Sequence, residues 1–159
     1  AIINMRCCNI VIINMSDRID LHKVAPGAYE PMIALEKWIA GTGLDMKLYH
    51  LVKMRASQMN GCHYCINMHS RDAMKLGETA QRLFLLDAWR ETDLFTPKER
   101  AVLALTEAMT AIAGTHVPDD VYNDAAKNLT EKELAAVIMG VVAINSWNRM
   151  AITTHLPLD

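Results

Sequence analysis

Residues 60–69 read Asn-Gly-Cys-His-Tyr-Cys-Ile-Asn-Met-His, and this stretch carries most of the chemistry that the chain can perform. It sets the thiols of Cys62 and Cys65 three residues apart, with the imidazole of His69 four residues after the second thiol. If a helix runs from about residue 61 to residue 76, the three side chains share an arc of roughly 60°. The unpaired N–H groups at such a helix start favour thiolate over thiol. The stretch therefore predicts a reactive thiol pair on one helix face.

Three kinds of site fit this spacing. Two neighbouring thiols can perform two-electron chemistry, because one is oxidised and the other closes a disulfide. Four nitrogen and sulfur ligands for zinc are also available, from His50, Cys62, Cys65 and His69, although structural zinc ligands usually come from loops. Buried cysteines beside a satisfied core histidine are the third interpretation. Within the redox interpretation, the helix start favours Cys62 as the thiolate, whereas the one-turn separation from His69 favours Cys65.

The rest of the chain has the pattern of an all-α domain. Capping boxes begin at Thr96 and at Thr130, each with glutamate three residues later, and Gly77 is placed to end the helix that contains His69. β-Branched residues do not alternate with polar ones in any bounded run, which argues against strands. We expect six or seven helices of roughly 10–16 residues each. The run 134–144 is apolar on nearly every side, which predicts a helix at the centre of the domain or between subunits.

Composition excludes several classes of function. The 159 residues are 52% apolar and 21% charged with a formal net charge of −2, which fits one domain and gives no basic surface for nucleic acid. Four cysteines do not form the disulfide framework of a secreted protein, so we expect a cytoplasmic protein. Residues 1–14, which contain Cys7 and Cys8, are too short and too interrupted to span a membrane. We interpret them as a non-native or upstream extension before Met15, and 15–159 as a single helical domain.

The residues around the thiol pair resemble a known family. Residues 52–65, followed by His69 and Ala73, are similar to the alkylhydroperoxidase D core of the carboxymuconolactone decarboxylase superfamily. Segments 95–107 and 144–149 are also similar to members of that family. The resemblance implies an all-α, alkylhydroperoxidase D-like fold of six or seven helices, intertwined in a homotrimer or homohexamer.

The resemblance also implies a role for each site residue. Cys65 corresponds to the peroxidatic thiol that attacks a hydroperoxide, Cys62 to the resolving thiol, and His69 to the base that relays the proton. His50 lies where the family commonly carries a glutamate, and a histidine can replace that carboxylate only in part because it carries no fixed negative charge. Tyr64 stands where the well-known peroxidase form has histidine. No bound cofactor or metal is required, and electrons come from an external dithiol of the lipoyl type.

Two other functions remain open at the level of sequence. A carboxymuconolactone decarboxylase-like lyase would belong to the same superfamily, but such decarboxylases as a rule lack the paired thiols of Cys62 and Cys65. A zinc-binding or thiol-sensing module without turnover is the other alternative. Metal bound to the purified protein would favour the module, and metal-free titratable thiols would favour the redox enzyme.

Overall fold

The computed structural model describes residues 18–158, and in that range every regular element is a helix. The predicted all-α fold is thus confirmed, while the interpretation of residues 1–14, Cys7, Cys8 and Met15 lies outside the described residues. The α-helices in this range are α1 (Leu21–Val24), α2 (Tyr29–Ala40), α3 (Met46–Asn60), α4 (His63–Lys75), α5 (Ala80–Phe84), α6 (Pro97–Thr110), α7 (Ile112–Thr115), α8 (Asp119–Asn128) and α9 (Glu131–Thr154). Two 3₁₀ helices, Pro26–Ala28 and Leu85–Glu91, precede α2 and follow α5.

The helix boundaries follow the local sequence signals. The side chains of Thr96 and Thr130 each accept a hydrogen bond from the backbone N–H three residues later. The glutamate at that position accepts the backbone N–H of the threonine, so both predicted capping boxes are present. Gly77 comes two residues after α4 ends and has a φ of +85°, as expected for its predicted role. Six helices have between 10 and 24 residues, and α9, with 24, exceeds the predicted length.

Helix α9 is the central helix of the domain. It packs against α2, α3, α4, α6 and α8. Its length and composition would allow it to cross a membrane, but half of its most apolar 18-residue segment is buried inside the domain. Burial on several sides explains why the run 134–144 is apolar almost all round, and the prediction of a central helix is confirmed.

A close approach between α9 and α3 fixes the position of the site helices. Tyr49 of α3 is almost fully buried, and its ring lies against Gly140 of α9. A Cβ atom at position 140 would stand 2.6 Å from Cε2 of Tyr49, closer than real contacts allow. The glycine is therefore needed for this helix crossing, which positions the part of α3 that continues into His50 and Lys53.

We predict that Gly140→Ala lowers the free energy of unfolding by about 1 kcal/mol or more, measured by urea denaturation. Alanine gains about 1 kcal/mol in helix propensity, but the clash with the rigid ring of Tyr49 outweighs that gain. Gly114→Ala is the matched control, because a Cβ there meets nothing within 4 Å. Equal stabilisation by both substitutions would show that the two helices can separate without cost.

Candidate active site

The turn between α3 and α4 brings the two thiols together. Gly61 has a φ of +68°, a left-handed conformation that glycine adopts without strain, and it reverses the chain after α3. Cys62 is then the N-cap of α4, where its sulfur accepts the backbone N–H of Cys65 at 3.4 Å. The sequence analysis expected Cys62 inside the helix. Its cap position instead aims its sulfur directly at the unpaired N–H groups of the first turn.

The two sulfur atoms form a buried, hydrogen-bonded pair. Sγ of Cys62 and Sγ of Cys65 are 2.7 Å apart, both cysteines are free, and their exposed fractions are 0% and 2%. The hydrogen bond from Cys65, aided by the backbone N–H of Cys65 and by Asn148, lowers the pKa of Cys62 to about 6 despite burial. The same hydrogen bond, together with burial, raises the pKa of Cys65. In the resting pair the negative charge therefore lies on Cys62 and the proton on Cys65.

A cavity of about 400 Å³ opens beside this pair. Cys65 lines the cavity and Cys62 does not, so only the second thiol faces a bound molecule. Both polar and apolar side chains line the cavity. The polar side chains are Glu36, His50, Lys53, His69 and Asp72, and the larger apolar and aromatic ones are Tyr29, Tyr64, Met68, Trp147, Met150 and Leu156.

His50 and His69 form a pair of imidazoles in the lining of the cavity. Their ring centroids are 5.6 Å apart, and their exposed fractions are 8% and 5%. Burial, followed by the nearby cation of Lys53 and by His50, lowers the pKa of His69 to about 3. Burial and Lys53 also lower the pKa of His50. His69 is thus neutral near physiological pH, and a neutral imidazole can accept a proton.

Neither ring is hydrogen-bonded to a sulfur in the part of the chain that the structure describes. The Nδ1 atoms of His50 and His69 are buried there without any hydrogen-bond partner. Buried polar atoms are normally paired, so these two nitrogens are exceptions within the protein interior, while the imidazole side chains themselves line the cavity.

A carboxylate that the sequence analysis missed also reaches the cavity. Glu36 of α2 accepts hydrogen bonds from the Tyr49 hydroxyl at 3.0 Å, from Nζ of Lys53 at 2.8 Å and from Nε1 of Trp147 at 3.1 Å. His50 stands where the family resemblance implies a glutamate, and the fold brings the carboxyl group of Glu36 to the cavity from another helix. No local spacing links Glu36 to the thiols, because α2 meets them only through tertiary packing.

Other residues named from the sequence take different positions. His63 is exposed, and Asp72 pairs with Lys75 at 2.8 Å while lining the cavity. Glu107 and His116 were also named from the sequence, but neither lines the cavity. Glu107 instead accepts hydrogen bonds from Arg55, Trp89 and Arg90.

The described residues do not assemble a zinc site. No group of three or more His, Cys, Asp or Glu side chains within 18–158 converges in a way that could hold a metal ion. The sulfur atoms of Cys62 and Cys65 are 2.7 Å apart, whereas two thiolates on one tetrahedral zinc stand about 3.8 Å apart. The zinc interpretation of His50, Cys62, Cys65 and His69 therefore finds no support in the geometry.

Comparisons with known proteins agree with one another on the fold. The model of the carboxymuconolactone decarboxylase family matches residues 26–108. The uncharacterized protein YdfG of Bacillus subtilis is 39% identical over 138 residues, which cover 87% of this chain and 94% of that protein.

Solved structures show the same architecture. A protein of unknown function from Agrobacterium tumefaciens, ATU0492, described as a candidate antioxidant defence protein AhpD, superposes with a TM-score of 0.86 at 34% identity. That match covers 89% of this chain and 97% of the other. The debrominase Bmp8 superposes with a TM-score of 0.75 over 84% of this chain and 72% of its own, at 18% identity, which shows a common fold only.

We predict that the far-ultraviolet thiolate absorbance of the reduced protein titrates with a midpoint near pH 6, set by Cys62. The measurement uses a background with Cys7→Ser and Cys8→Ser, so that only the site thiols contribute. Cys65→Ala removes the S–H donor and should raise the midpoint, whereas Cys65→Ser keeps an O–H donor and should raise it less. A wild-type midpoint near that of an ordinary thiol would contradict the assignment of charge.

Proposed function

The chain belongs to the carboxymuconolactone decarboxylase family, and from this premise we propose that it is a thiol-dependent peroxidase. It reduces organic hydroperoxides with Cys65 as the attacking thiol and Cys62 as the resolving thiol. His69 and His50 handle the protons, and an external dithiol restores the reduced pair. The observation that carries the proposal is the contact of two free sulfurs, 2.7 Å apart, of which only Cys65 faces the cavity.

The first step must move the proton that Cys65 holds at rest. The thiolate of Cys62 can accept it along the S–H···S hydrogen bond, and the neutral imidazole of His69, one helical turn from Cys65, is a second acceptor. The Cys65 thiolate then attacks the nearer oxygen of the hydroperoxide, and the O–O bond breaks. Cys65 becomes a sulfenic acid, and the leaving alkoxide takes the transferred proton to form the alcohol.

The second step closes the disulfide. Cys62, as thiolate, attacks the sulfur of the Cys65 sulfenic acid, and hydroxide leaves and is protonated to water. One thiol, one thiolate, one hydroperoxide and one proton from solvent thus become one disulfide, one alcohol and one water. Closure needs only a small movement, because the sulfurs already stand 2.7 Å apart and a disulfide bond is about 2.0 Å long. An external dithiol then reduces the disulfide by thiol–disulfide exchange.

The cavity favours an organic hydroperoxide over hydrogen peroxide. A volume of about 400 Å³ far exceeds that of the small peroxide, and the lining includes the apolar side chains of Met68, Trp147, Met150 and Leu156. Apolar surface removed from water contributes about 25 cal/mol per Å² to binding of the organic group. The hydroperoxide end would lie beside Cys65 and the imidazoles of His50 and His69, which line the same cavity.

We predict that the wild-type protein consumes cumene hydroperoxide catalytically with excess dithiothreitol, measured as loss of peroxide over time. Cys65→Ser should abolish consumption, because the thiol that faces the cavity is removed. Cys62→Ser should stop turnover but leave a single oxidation of Cys65, detected as a dimedone adduct by mass spectrometry. His69→Gln should slow turnover by about 100-fold, the usual contribution of a positioned base.

His116→Asn is the matched control for the histidine substitution. His116 is exposed and lies outside the cavity, so its replacement removes an imidazole without altering the lining. Its turnover should equal that of the wild type. Peroxide loss no faster than with dithiothreitol alone, in the wild type as in Cys65→Ser, would exclude the peroxidase function.

We predict that kcat/KM for the hydroperoxide is flat from pH 7 upward until the remaining proton of the pair, on Cys65, begins to leave, and falls below pH 6. The reactive pair carries one negative charge, and its population decreases about tenfold per pH unit below the pKa of about 6 of Cys62. His69 should not add a second inflection between pH 5 and 8, because its pKa of about 3 keeps it neutral there. A rate that rises on acidification would require a protonated histidine and contradict its role as base.

A further inference from the structure

Asn148 is a fully buried polar residue on the face of α9 that covers the two sulfurs. Its exposed fraction is 0%. Ile144, one turn before it, and Ala151, one turn after it, pack in the same buried cluster as Cys62 and Cys65. An amide in such a position must satisfy each of its hydrogen-bonding atoms within the protein.

The hydrogen bonds of Asn148 orient its amide. Its Oδ1 accepts from Nδ2 of Asn60 at 2.8 Å, and its Nδ2 donates to Oγ of Ser57 at 3.0 Å. An amide nitrogen carries two hydrogens, so one donor remains after Ser57 is satisfied. The amide lies on the buried face of α9 beside the pair, and its polarity lowers the pKa of both Cys62 and Cys65.

A second layer of hydrogen bonds prevents this amide from turning over. Asn60 also donates to Oδ1 of Asn145 at 3.0 Å, and Asn145 in turn donates to the Thr110 hydroxyl at 3.2 Å. Reversal of the Asn148 amide would place its NH₂ against the donor of Asn60. Since Asn60 is two residues before Cys62, the residue that fixes the amide also begins the turn that presents the thiols.

We propose that Asn148 is a catalytic residue that donates a hydrogen bond to whichever sulfur carries the negative charge during the thiol cycle. The charge rests on Cys62 in the reduced protein, moves to Cys65 for attack, and returns to a leaving sulfur when the disulfide is reduced. A donor that reaches both atoms follows this movement without any rearrangement. The catalytic part of the inference rests on the proposed peroxidase function, whereas the effect on the reduced pair does not.

The same contact sets the redox balance of the pair. The disulfide carries no negative charge, so a donor aimed at the sulfurs stabilises the reduced anion more than the oxidised form. Loss of the donor should therefore make the disulfide harder to reduce. Asn148→Leu replaces the amide oxygen and nitrogen with methyl groups of similar volume. Asn148→Asp keeps the shape of the side chain but replaces the N–H donor with an oxygen acceptor.

The test measures both variants in the background with Cys7→Ser and Cys8→Ser. The thiolate midpoint should rise by about one to two pH units, because a hydrogen bond to a charged group contributes about 1.5–3 kcal/mol. In a dithiothreitol redox buffer, the equilibrium constant for reduction of the disulfide should fall by about tenfold, which is about 30 mV for two electrons. Ser146→Ala is the matched control, since it removes a hydrogen-bonding side chain of the same helix that donates to the Val142 carbonyl and takes no part in this network, and its midpoint should stay at the wild-type value.

Nuclear magnetic resonance of the wild type provides a measurement that needs no folded variant. The side-chain amide signals of Asn148 should shift through the thiol midpoint as the pH is raised. The inference would be overturned if folded Asn148→Leu and Asn148→Asp had the wild-type midpoint of thiolate formation. It would also be overturned if the chemical shifts of the Asn148 amide did not change across that midpoint. A raised midpoint in a protein that does not consume hydroperoxide would uphold the donor role and reject the proposed function alone.

Discussion

One buried negative charge on sulfur is the constraint on which this structure depends. Apolar surroundings disfavour a thiolate, and the fully buried Cys62 would be an inert thiol without compensation. Compensation comes from the S–H and backbone N–H of Cys65 and from the amide of Asn148. The first two donors exist because the left-handed turn at Gly61 makes Cys62 the cap of α4, and the third requires α9 to pass directly over the pair. The turn and the central helix are thus parts of one electrostatic arrangement.

The charges around the cavity are balanced in a comparable way. Lys53 is buried, which is costly for an ammonium group, and the carboxylate of Glu36 offsets that cost at 2.8 Å. The paired cation in turn disfavours protonation of His50 and His69, so the imidazoles remain neutral beside it. The cavity wall therefore contains a neutral proton acceptor, although carboxylates, a lysine and two histidines all lie within it.

Local signals in the sequence predicted the features that depend on neighbouring residues. The all-α fold and the capping boxes at Thr96 and Thr130 follow from local patterns, and the four-residue spacing of Cys65 and His69 places both on α4 beside the cavity. Glu36 and the orienting network of Asn148 could not be predicted in this way, because they arise from contacts 13 to 111 residues apart in the chain. The sequence also left open which of the two thiols carries the negative charge, since this depends on the cap position of Cys62 and on the buried amide of Asn148.

The lining of the cavity comes from different parts of the chain. The reacting groups belong to α3 and α4, whereas other lining residues come from Tyr29 at the start of α2, the end of α9 and Leu156 beyond it, with the rings of Tyr29 and Trp147 5.8 Å apart. Residues in those outer positions can change without disturbing the turn at Gly61 or the crossing at Gly140. Evolution could therefore alter the size and shape of the accepted molecule separately from the thiol chemistry, so that one reaction centre serves a range of substrates across diverging descendants.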